Sequence, residues 1–161
     1  MDRYKIVPTV AFLAVLALGA GARIVIGRIY GESDAVDLLV SLVDSGLYIG
    51  SATLGGSATI LALILTLTSL VRRDDTELSH NVYADVHKVA RNATMALFSS
   101  IFLLLALTAP TTEMNELPSD WYPRLYNILY ALIVVTLATI GATISRLYLT
   151  IACVLAAYRD A

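Results

Sequence analysis

Charge is what this sequence is short of. Asp, Glu, Lys and Arg make up 15% of its 161 residues, against about 25% in soluble globular domains. None of the four occurs in 45–71, 92–112 or 125–145. Each gap is as long as the roughly 20 apolar residues that cross a hydrocarbon core. With 58% hydrophobic residues and a mean hydropathy of +0.75, a water-soluble fold is excluded. The sequence predicts an all-α integral membrane protein, a single domain over 1–161, with four transmembrane helices near 7–26, 46–71, 92–109 and 125–150.

Other absences narrow the function. Cys153 is the lone cysteine, so no intrachain disulfide and no paired-cysteine redox or zinc motif is available. A net charge of −2 without a basic cluster speaks against nucleic-acid binding. His80 and His87 are seven residues apart with Asp85 between them, two turns along one helix and too far apart for one metal; no metal site is expected. Gly19, Gly21 and Gly27 follow no strand, so they are not a nucleotide fingerprint, and no Ser sits in a nucleophile elbow. No catalytic residues and no cofactor are expected, and the chain does not read as an enzyme.

The N-terminus carries Arg3 and Lys5, then an apolar run and Ala20-Gly21-Ala22, a pattern shared with secretory signals. It is read here as the first transmembrane helix, with Arg23 in its last turns snorkelling or paired to an acid. The second hydrophobic segment reaches from about 35 to 71, too long for one perpendicular crossing. An amphipathic lead-in at 37–44, continuing or bending into the span proper, is expected. The turn at 74–77 is short, which makes the second and third spans antiparallel neighbours. A polar prelude at 78–91 leads into the third span, which Pro110 stops.

Loop charges orient the chain. Arg3, Lys5, Arg72, Arg73, Lys88, Arg91 and Arg159 fall on one side, and Arg23, Arg28 and Arg124 on the other. The positive-inside rule then places both termini in the cytoplasm, with helix extensions on that side. Tyr30, Trp121, Tyr122 and Tyr126 suit an outer aromatic belt. A multi-pass protein of the plasma (inner) membrane is the expected location. The sequon at Asn92-Ala93-Thr94 falls at the inner interface and is set aside.

One pattern goes further. Along the second helix, Asp37, Ser41, Asp44, Tyr48, Ser51, Gly55, Thr59, Ala62, Thr66, Ser69 and Arg73 recur at the α-helical period. Every residue on that line is polar, small or charged, while the rest of the helix is largely apolar. Two readings compete: close helix packing, which Gly46-x-x-x-Gly50 and Gly55-Gly56 also suit, and a water-lined pore beginning at two carboxylates. A four-helix monomer has little room for a pore, so conduction requires several copies around an axis. The leading expectation is a homo-oligomeric channel lined by the second helix, in which a ring of Asp carboxylates would favour cations. The alternative is a non-conducting accessory, sensor or effector subunit, with a cytoplasmic protein partner at the inner loop. On the fourth helix Thr136, Thr139, Thr143, Arg146, Thr150 and Cys153 form a packing seam, with Arg146 either snorkelling to the inner headgroups, the favoured reading because the helix is long enough to bring it there, or buried against an acid or a helix C-terminus.

Overall fold

The computed structural model describes residues 3–29, 35–71, 80–108 and 121–159. They form α1 (Arg3–Ile29), α2 (Ala35–Val71), α3 (His80–Leu107) and α4 (Trp121–Arg159). All four are long and apolar enough to cross a membrane, over Ile6–Val25, Leu38–Thr66, Val86–Leu107 and Arg124–Ala152. Such a set of spans indicates a multi-pass membrane protein.

The segment 37–44 continues into the rest of α2 as one helix, one of the two courses expected of it, and the apolar stretch of this helix runs from Leu38 to Thr66. Packing supports it. Leu39 is buried in a cluster with Leu103, Leu107, Tyr126, Leu129 and Ile133, and Leu38, Leu42 and Val43 pack against it. Asp44 falls within this apolar stretch, about 9 Å along the axis from its start.

α2, α3 and α4 pack on one another, and α1 packs on α4 alone. Glycines set the close approaches. A Cβ at Gly46 would lie 2.8 Å from Leu107 Cδ1, and one at Gly50 would lie 2.9 Å from Leu104 Cδ2. These pairings run α2 antiparallel to α3. A second cluster of Ile60, Val89 and Ala93, with Ile64, Ile140 and Leu147 against it, closes the other end. α4 returns antiparallel to α3 and to α1, so the two ends of the chain share one end of the bundle. At that end α2, α3 and α4 continue as helix beyond their apolar stretches.

α1 is held to α4 by specific contacts. Arg23 on α1 donates from Nε to Asn127 Oδ1 at 2.8 Å and from a terminal nitrogen to the same oxygen. Its guanidinium lies 5.3 Å from the Tyr126 ring centroid, a cation–π contact. Among the described residues, its partners are this amide and this ring. α1 does not reach α2, so within one chain Arg23 also cannot serve as the partner of Asp44.

Candidate functional site

The buried residues of α2 are Leu39, Gly46, Gly50, Thr53, Ser57 and Ile60. At about 100° per residue their mean direction is nearly opposite that of the polar line. The structure accordingly leaves Ser41, Asp44, Tyr48, Ser51, Gly55, Thr59, Ala62, Thr66 and Ser69 all exposed. Tyr48, at 79%, points away from the bundle. Asp37 lies on α2 with its side chain outside the described residues, and Arg73 lies outside them altogether.

This separates two features that the sequence ran together. Gly46 and Gly50 bring α2 against α3, whereas Gly55 and Gly56 have nothing within 4 Å of a would-be Cβ. Packing inside the chain therefore accounts for the first pair and not for the stripe. The stripe hydroxyls turn onto their own helix: Ser51 donates to Leu47 O at 2.8 Å, Thr59 to Gly55 O at 2.9 Å and Thr66 to Ala62 O at 2.9 Å. Ser69 does the same to Thr66 O at 2.8 Å. Each proton is satisfied locally and each oxygen keeps a lone pair for water or a neighbour. Asp44 has no such recourse: an ionised carboxylate only accepts, and no cation faces it among the described residues.

The seam on α4 behaves differently. Thr136 and Thr143 are fully buried, and Ser99 and Thr136 share a hydrogen bond of 2.9 Å between α3 and α4. That is the packing role expected of this line; the Cys153 side chain lies outside the described residues. Ser57, buried on the inner face of α2, has no partner for its hydroxyl.

The Arg146 guanidinium reaches across to α3: NH1 donates to Asn92 Oδ1 at 3.4 Å, and Nε is buried without a partner. The cause is the placement of α1. Because α1 stands off α3, a cleft of about 240 Å³ opens between them, floored by Thr139, Ala142 and Arg146 of α4 and walled by Pro8, Thr9 and Phe12 of α1 and Asn92 and Met95 of α3. Sequence reasoning passed over Asn92, which it considered only as part of a sequon. An Arg inside an apolar span was the signal that a partner should be sought. A second, largely apolar groove of about 540 Å³ between α3 and α4 is lined by Phe98, Phe102, Ile128 and Val135 together with Ser99.

His87 is exposed, and the His80 and Asp85 side chains lie outside the described residues. Among the described residues no group of three or more His, Cys, Asp or Glu could hold a metal ion. Comparison with protein-family models, curated proteins and solved structures returns no match.

Proposed function

We propose that this chain is the subunit of a homo-oligomeric membrane channel in which α2 of each copy faces a central aqueous path. The observation that carries the reading is the outward stripe with Asp44 inside the apolar span. A carboxylate that faces lipid within an apolar stretch is costly, the more so the nearer it lies to the bilayer centre. A second copy or water relieves that cost. Cyclic symmetry repeats one Asp as a ring, which concentrates cations at the mouth. The Leu63 and Leu65 side chains, exposed beside the stripe, then face neighbouring subunits or lipid. The orientation with both termini cytoplasmic, in the plasma (inner) membrane, belongs to the same proposal and rests on the seven-to-three division of basic residues.

Thr59→Cys on a Cys153→Ala background tests it. In a reconstituted channel, a charged thiol reagent added in water blocks current through Thr59→Cys and leaves Leu105→Cys, exposed on α3, unaffected. Mass measurement in mild detergent should give a closed oligomer. Monomers at all concentrations overturn the pore. An oligomer whose Thr59→Cys stays unreactive and which passes no current favours the non-conducting subunit, with the stripe as a dry helix interface.

A further inference from the structure

The cleft beside Arg146 has no part in the stripe, since α1, α3 and α4 form it while the stripe lies on α2. The groups it gathers do not balance. A guanidinium carries five N–H donors and a permanent charge. Here one donor has a long bond to a neutral amide and Nε has nothing. Among the described residues, no carboxylate lines the cleft. A partly buried guanidinium that meets no anion is poorly compensated, and that leaves room for an anionic ligand.

We propose that this cleft binds the phosphate of an anionic glycerophospholipid. The guanidinium fork matches phosphate oxygens, and the Asn92 amide can turn its N–H₂ to the same group. Depth agrees. Asn92 lies six residues inside the α3 span and Arg146 six residues inside the α4 span, each about 9 Å along its helix from the end the chain termini share. An arginine side chain spans most of that distance, so its charge reaches the base of the headgroup layer. Pro8, Phe12 and Met95 supply apolar walls for glycerol and the start of an acyl chain, and the cleft opens sideways between α1 and α3, where lipid arrives. Exposed Arg91, next to Asn92 on α3, adds a second positive charge near the mouth, favouring an anionic lipid over a zwitterionic one. The inference rests on membrane insertion and is independent of the pore.

The full chain, delipidated in mild detergent, is titrated with dioleoylphosphatidylglycerol, dioleoylphosphatidylcholine or inorganic phosphate, reading bound lipid by native mass spectrometry and thermal stability in parallel. Wild type should prefer phosphatidylglycerol over phosphatidylcholine at least tenfold and be stabilised by it, with no response to inorganic phosphate at the same concentration. Arg146→Gln should bring the two lipids to parity, Arg146→Lys should retain part of the preference, and Arg91→Gln should keep most of it. If Arg146→Gln fails to fold, Met95→Trp, which fills the cleft with Arg146 in place, must lower phosphatidylglycerol retention alike. An undiminished preference in folded Arg146→Gln overturns the site. Equal stabilisation by inorganic phosphate overturns the lipid assignment. Oligomeric state is read in the same spectra, so loss of the pore would be seen separately.

Discussion

Tyr130 on α4 donates its hydroxyl proton to the carbonyl of Gly19 on α1 at 2.8 Å. The bond exists because Gly19 lets the helices close: a Cβ there would sit 2.5 Å from Val134 Cγ1. The Val134 methyl groups are short and branched and cannot swing aside cheaply. Gly19→Ala should therefore destabilise the bundle by about 1–3 kcal/mol through overpacking, with Val134→Ala restoring most of it. Gly21→Ala is the control, since nothing lies within 4 Å of its would-be Cβ; it should be neutral or stabilise by about 0.5–1 kcal/mol through helix propensity. Denaturation in a fixed detergent measures all three. Equal losses at Gly19 and Gly21 would contradict the α1–α4 contact.

The unpartnered Ser57 hydroxyl predicts a gain. Ser57→Ala removes a buried polar group at almost constant volume, and relief of its desolvation should stabilise the fold by about 1 kcal/mol. Thr136→Ala, which breaks the bond to Ser99 and leaves a methyl-sized void, should destabilise by a similar amount. A loss at Ser57 equal to that at Thr136 would show that Ser57 holds a partner in the folded protein.

Arg23 and Asp44 should act independently. Arg23→Gln weakens the seat of α1 on Asn127 and Tyr126 and should cost about 1–2 kcal/mol. Asp44→Asn leaves that seat alone. If the stripe lines a pore, it shifts reversal potentials away from cation preference while the oligomer persists. The double variant should then be additive within about 0.5 kcal/mol. Strong coupling between the two would point to an ion pair across subunits, which one chain by itself does not make.

Topology is tested with cysteines in the loops, at Ser79 and Ser119, both outside the described residues. On the Cys153→Ala background Ser79→Cys should label from the cytoplasm and Ser119→Cys from outside. Labelling of Ser119→Cys only from the cytoplasm would reverse the orientation.

Much of the architecture was legible in the order of residues, because charge gaps and helical period are local properties. Three uncharged stretches announced three of the helices and the apolar run after Lys5 the other, and the stripe and the α4 seam followed from spacing alone. Periodicity says how directions are arranged around one helix, but two lines of small residues look alike whether they meet a neighbouring helix or none. That is why Thr136 and Thr143 on the α4 line proved buried, the described part of the α2 line proved exposed, and Gly46 and Gly50 proved to pack where Gly55 and Gly56 do not.

Composition by itself marked a multi-pass membrane protein, with four helices long and apolar enough to cross a bilayer, because burial of so much apolar surface is what water favours. Only the tertiary structure decided that α1 rests on α4 alone. That placement gave Arg23 an amide and a ring as partners. It also left a cleft in which Arg146 faces Asn92 from 54 residues away, while the packing of α2 on α3 and α4 left Asp44 exposed on the opposite face. Such pairings depend on which helices become neighbours, and side-chain volumes at the close approaches, with Gly19 against Val134 and Gly46 against Leu107, make that choice.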